Sequence, residues 1–175
     1  LLFSAARTGK DIILSTGNST IDEVREALGV LAFGYIGSDK SPSETAFREA
    51  YEEKSTPDLL HRKVTLLHCT TEYPAPFEDI NLRAMDTLRT GFNLPVGLSD
   101  HPPGIAVGIA AAAREACIVE KHFTLDRSLP GPDHKASILP EELTAMVDSI
   151  RKIELALGSG AKEPAPSERK NLKVI

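Results

Sequence analysis

The chain has 175 residues, 41% hydrophobic and 26% charged, a balance typical of a globular protein long enough to bury a real core. Its net charge of −5 argues against nucleic acid as a main partner, because a phosphate backbone needs a basic face. No apolar run reaches the roughly 18 residues of a membrane span, and no basic n-region precedes an apolar stretch as in a secretory signal.

The opening LLFSAARTGK reads as helix and has no initiator Met, so the chain is expected to be a piece of a longer protein. Residues 11–16 (DIILST) are the first of four short apolar, β-rich segments. STIDEVREAL follows, where Thr20 and Glu23 form a capping-box pattern and Ile21, Val24 and Leu28 share one helical face. Residues 33–62 break the rhythm and read as an insertion with its own helix around Phe47 and Tyr51. The second strand, 64–70 (VTLLHCT), leads into a helical pattern over 77–92, with Ile80, Leu82, Ala84, Met85 and Leu88 at helical spacing.

The third strand, 94–99 (LPVGLS), precedes the small-residue helix GIAVGIAAAARE. The fourth, 117–123 (CIVEKHF), is followed by a Pro/Gly-rich loop. The helix LPEELTAMVDSIRKIELAL comes next, with Leu143, Met146, Val147, Ile150, Ile153 and Leu157 expected to face inward. Residues 158–175, rich in Gly, Pro and charge, read as an exit linker. Near-continuous apolar strands alternating with helices predict an α/β fold of four parallel βα units, an open half-barrel. Its two free edges should be covered, by further units of the same chain or by a second copy. Cys69 and Cys117 lie in apolar runs and are expected to be buried, reduced core thiols, as suits a cytoplasmic enzyme.

Polar residues collect at the strand ends: Ser15 and Thr16, Thr70 and Thr71, Ser99-Asp100-His101, and Glu120-Lys121-His122. Barrel enzymes place their active sites on that face. Adjacent strands are about 4.8 Å apart, so His101 and His122 could share one divalent cation and leave positions open for substrate. Each could equally be a hydrogen-bonded structural histidine. Asp133, in LPGPDHKAS, could meet sugar hydroxyls or cap an ordinary turn. Tyr73 could stack on a substrate or pack beside Pro74. Ser15, Thr71 and Ser99 could donate to a phosphate or cap backbone groups. His68 reads as a packed imidazole within its strand, and His61 and His134 have no evident partner.

LSTGNSTIDEV, LLHCTTEYPAPFEDINLRAM, VGLSDHPPGI and IVEKHFTLDRSLPGPDHKASILPEEL together resemble the sialic acid synthase family. That family includes N-acetylneuraminate synthase and relatives that make legionaminic and pseudaminic acids. The resemblance spans nearly the whole chain outside 33–62. It implies the C-terminal half of a TIM (β/α)8 barrel over 1–157, with 158–175 leading toward an antifreeze-like domain. It implies a divalent metal, most aptly Mn²⁺, on His101 and His122. It also implies that Ser15, Thr71 and Ser99 contribute to phosphoenolpyruvate binding, that Tyr73, Glu120 and Asp133 surround an amino sugar, and that Lys121 lies beside the metal ligand. The implied reaction joins phosphoenolpyruvate to an N-acetylated amino-sugar aldehyde, giving a nonulosonic acid and phosphate, in a homodimer when full length.

Some positions depart from the family pattern: Asn18 for a usual Met, Thr71 for an Asn in some members, Pro102 for a frequent Thr, and Glu115 where a Gly often ends a helix. The family's phosphate-binding lysines belong to the other barrel half, so this chain alone is expected to be inactive. A different metal-dependent barrel aldolase or hydrolase, or a non-catalytic half-barrel, are the competing readings.

Overall fold

The computed structural model describes residues 1–171; the last four residues of the 158–175 segment lie outside them. Four parallel strands, β1 (Ile12–Ser15), β2 (Val64–Cys69), β3 (Val96–Asp100) and β4 (Val119–Lys121), form one sheet in chain order. The strands alternate with helices, so the four βα units make half of a (β/α) barrel, as expected. The helices are α1 (Leu2–Ala6), α2 (Ile21–Ile36), α3 (Glu44–Glu52), α4 (Thr56–Lys63), α5 (Ala84–Phe92), α6 (Ala106–Ala113) and α7 (Pro140–Leu157). None of the described helices is long and apolar enough to cross a membrane.

Register divides the sheet into two faces. Ser15 pairs with Leu67, Leu67 with Gly97, Cys69 with Ser99, and Ser99 with Glu120. Registered residues in parallel strands point the same way, so these line the concave face. Val64, Leu66, Val96 and Leu98 point the other way and pack with Met85, Leu88 and Ala111 in the main core. Burying each such aliphatic side chain contributes on the order of 1.5–3 kcal/mol. On the concave side Ile13 remains 58% exposed, consistent with a barrel face whose second half is elsewhere.

The capping box forms as read: the Glu23 amide donates to the Thr20 hydroxyl, and the Thr20 amide to the Glu23 carboxylate. Helix α2 runs on past residue 33 to a left-handed Gly37, because GVLAFGYI contains no residue that breaks it. Phe33 is buried there between the rings of Phe3 and Phe47, at 5.6 and 5.2 Å between ring centres. Residues 38–63 carry α3 and α4, both packed against α2. Helix α5 starts only at Ala84, seven residues later than the 77–92 pattern suggests. A short 3-10 turn (Phe77–Asp79) and a left-handed Asn81 interrupt it, and Ile80 still reaches the core.

Two further expectations are corrected. On α7 only Met146 is fully buried; Val147 and Leu157 are exposed, because the helix packs chiefly on α6 at the open end of the sheet. Cys117 is exposed and Cys69 only half-buried. Cys117 lies two residues before the edge strand β4, where neighbours are on one side only, and Cys69 lies on the open concave face. Glu115 does adopt a left-handed conformation, φ 64°, at the end of the small-residue helix.

Replacing Thr20 by Ala is expected to lower the unfolding free energy by about 1 kcal/mol through the lost cap. Phe33→Ala should cost about 3–5 kcal/mol through the cavity left among the three rings. Denaturant titration of both variants reads the difference directly.

Candidate active site

The concave ends of β3 and β4 bring Ser99, His101, Glu120 and His122 together. The Ser99 hydroxyl donates to Glu120 Oε1 at 2.6 Å and lies 3.1 Å from His101 Nε2. His101 Nδ1 is 2.7 Å from the Thr70 carbonyl oxygen, which can only accept. The proton of a neutral His101 therefore sits on Nδ1, and Nε2 presents its lone pair. Ser99 Oγ thus bridges Glu120 and His101, linking the ends of the two strands.

Tyr73 closes the group from the loop after β2, its ring centre 4.2 Å from that of His101 and 5.2 Å from that of His122. The loop is tied down by a hydrogen bond from the Ala75 amide to the His101 carbonyl, and its Tyr73-Pro74 bond is cis. Tyr73 is 46% exposed, so the phenol ring stands at an open mouth and is not packed away. The His101 and His122 ring centres are 5.6 Å apart. Two imidazoles each about 2 Å from one cation can have centres at that separation. Among the described residues no group of three or more His, Cys, Asp or Glu side chains could hold a metal.

Asp133 approaches from the loop between β4 and α7, its Oδ2 4.0 Å from His122 Nδ1. A shallow hollow of about 290 Å³ lies there, lined by His122, Phe123, Asp133, His134 and neighbouring loop residues. Several bonds fix this loop. The Ser137 hydroxyl donates to the Asp133 carbonyl, Arg127 Nε donates to the Ser137 carbonyl, and His134 Nδ1 meets the Thr124 hydroxyl at 2.8 Å. Glu142, in the first turn of α7, accepts from Arg127 and from the Leu139 amide. Those contacts hold its carboxyl below its ordinary value.

The other anticipated residues divide. Ser15 lies on the concave face at the end of β1, two strands from Ser99. Thr71 is exposed and its hydroxyl crowds the Gly17 backbone, where a methyl would come within 2.5 Å of it. Lys121 is not on this face at all. Its ammonium is 3.0 Å from Asp100 Oδ2, with both side chains almost completely buried beneath the helices. Burial pushes the Asp100 carboxyl above its usual range, and the Lys121 charge opposes the shift. Strand alternation is the physical reason: Glu120 and His122 point to the mouth, and the residue between them must point away.

Cys69 belongs to the concave face, registered with Ser99, and burial pushes its thiol above its ordinary value. Its parity with Ser99 and His101 along the registered strands was the signal that an apolar-run reading passed over. His68 Nε2 meets the Ile80 carbonyl and His61 Nδ1 the Asn93 carbonyl, so both are structural.

A family model described as the NeuB family matches residues 1–162. An N,N'-diacetyllegionaminic acid synthase of Campylobacter jejuni is 44% identical over 97% of this chain, which covers 44% of that protein. A human N-acetylneuraminate-9-phosphate synthase is 43% identical over 95% of the chain and 40% of that protein. Among solved structures, an N-acetylneuraminic acid synthetase from Leptospira borgpetersenii, crystallised with citrate, matches 99% of the chain and 52% of its own. The TM-score is 0.74, with 32% identity. The chain thus spans less than half the length of these two curated relatives.

The lowered Glu142 carboxyl stabilises the folded loop above the ordinary value near 4.5, and that contribution is lost as pH falls through its folded value. Thermal unfolding of Glu142→Gln is therefore expected to show less loss of stability below about pH 4.5 than the parent chain. An identical pH profile for both would refute the assignment.

Proposed function

The chain belongs to the NeuB family, and from that membership we propose that it supplies the metal-bearing half of a nonulosonic-acid synthase barrel. The reaction joins C3 of phosphoenolpyruvate to the aldehyde carbon of an N-acetylated amino sugar, N-acetylmannosamine or a 2,4-diacetamido sugar. Water adds at C2, and the tetrahedral carbon then expels phosphate to leave the α-keto acid. The observation that carries this reading is the convergence of His101, His122, Tyr73, Ser99 and Glu120 at two adjacent strand ends.

Nε2 of His101, with His122 beside it, would hold a divalent cation, most aptly Mn²⁺. When bound there, it supplies Lewis-acid polarisation of the aldehyde oxygen, stabilising charge that develops as the new bond forms. Ser99 locks Glu120 in place through a short hydrogen bond, leaving that carboxylate to accept from a sugar hydroxyl or a water. Tyr73 offers a half-exposed ring at the mouth for the sugar to pack on, and Asp133 offers a carboxylate on a braced loop. Ser15, ending β1, and Thr71, in the loop after β2, would contribute to phosphoenolpyruvate binding. A cytoplasmic, homodimeric full-length enzyme goes with this reading.

The chain by itself is expected to release no phosphate from phosphoenolpyruvate with Mn²⁺ and either sugar. Extended by the regions present in its curated relatives, it should turn over. His101→Ala or His122→Ala should then lose at least about 100-fold in kcat/KM, as expected when a metal ligand is removed. Turnover by the chain alone would overturn the assignment of half the machinery to the missing part. No turnover of any amino sugar by the extended protein would overturn the synthase reading. Unaltered rates for Tyr73→Ala and Asp133→Ala would favour a different barrel aldolase or hydrolase.

A further inference from the structure

We propose that Lys121 and Asp100 are positioning residues: the buried ammonium of Lys121 grips the backbone on both sides of His101 and so fixes His101 relative to His122. This rests on the two histidines forming the cation site proposed above.

The geometry is specific. Asp100 and Lys121 are registered partners on adjacent parallel strands, each immediately preceding one of the histidines. Lys121 Nζ donates to the Pro102 carbonyl at 2.8 Å and to the Asp100 carbonyl at 3.4 Å, the two peptide oxygens flanking His101. It also lies 3.0 Å from Asp100 Oδ2. One side chain, rooted next to His122, thus holds the segment that carries His101 at three points.

The energetics favour a positional role over a stabilising one. A buried ion pair contributes little net stability, because desolvating two charges offsets their attraction, and a hydrophobic pair of similar volume often serves as well. Here the cost is high: the side chains are 4% and 0% exposed, and neither Asp100 carboxylate oxygen has a well-formed hydrogen bond. The surrounding layer is tightly packed at Gly108. A methyl group there would stand 3.1 Å from Asp100 Oδ2, 3.0 Å from Met146 Sδ and 3.3 Å from Val119 Cγ1. Helix α6 therefore sits directly on the carboxylate, and α7 closes the layer through Met146. What a hydrophobic pair could not reproduce is the pair of bonds to the carbonyls flanking His101. Contacts of this kind behind metal ligands typically change metal affinity by about 10–100-fold when removed.

The test is the double variant Asp100→Asn/Lys121→Met, which removes the grip without leaving a lone buried charge. Co²⁺ titration followed by visible absorption reads affinity and coordination geometry, and long-range ¹H–¹⁵N spectra read the histidine rings without any metal. With circular dichroism unchanged, Co²⁺ affinity is expected to fall at least about tenfold. The His101 and His122 ring signals should move while those of His61 and His68 stay. Leu28→Ala, a core variant on α2 away from β3 and β4, should destabilise the fold yet leave Co²⁺ affinity within about twofold. Should the double variant fail to fold, Asp100→Asn alone keeps the two carbonyl bonds and is expected to show a smaller shift of the same signals. Unmoved ring signals and unaltered Co²⁺ affinity in a folded variant overturn the proposal. If the parent chain takes up no Co²⁺, the metal reading falls, and the ring signals alone then decide whether the pair positions His101.

Discussion

In a parallel sheet, registered residues leave the same face, and a step of one residue along either strand reverses it. The pairing of Ser99 with Glu120 and of Asp100 with Lys121 imposes this rule on the polar ends of β3 and β4. Ser99, His101, Glu120 and His122 go to the concave mouth, and Asp100 and Lys121 go to the layer under α6 and α7. A slip of one residue between these strands would place one charged residue in the mouth and one histidine in the core. The chemistry of the mouth and the closure of the core behind it are therefore set by a single register.

The two faces have opposite physical demands. The helix-facing side is dry, so its one charged pair has to be matched internally, with carbonyls and an opposing charge. The concave side is open, so its side chains can keep lone pairs and rings available to a ligand. His101 shows the division within one residue. Its Nδ1 meets the Thr70 carbonyl, and Nε2 meets the Ser99 hydroxyl on the side of the mouth. Tyr73 and Asp133 reach the same point from loops held by hydrogen bonds, so each is presented by a braced segment.

The sheet also explains what the chain leaves open. Strands β1 and β4 are edges, and α7 packs chiefly on α6. Val147, Leu155 and Leu157 of α7, and Ile13, stay exposed for the same reason. In the intact family architecture those surfaces would meet the remainder of a closed barrel, which is why a chain spanning less than half of its curated relatives can show a well-formed core and an unfinished mouth together.

Local chemistry was legible in the residues themselves. The Thr20–Glu23 cap, the four apolar strands and the strand-end polar clusters depend on neighbours only a few positions away, so periodicity and spacing determined them, and with them the half-barrel. The extension of α2 through Phe33 and the late start of α5 depended on which faces found partners, and sequence boundaries missed both. Lys121 stood beside a histidine in the sequence yet turned away from it. Cys69 stood among apolar residues yet faced the mouth. Those outcomes, like the tautomer of His101 and the approach of Asp133, follow from which strand registers with which and which helix covers them. The contacts that decide them join residues about 20 or more positions apart in many cases, and only the folded sheet brings such residues within a few ångströms of one another.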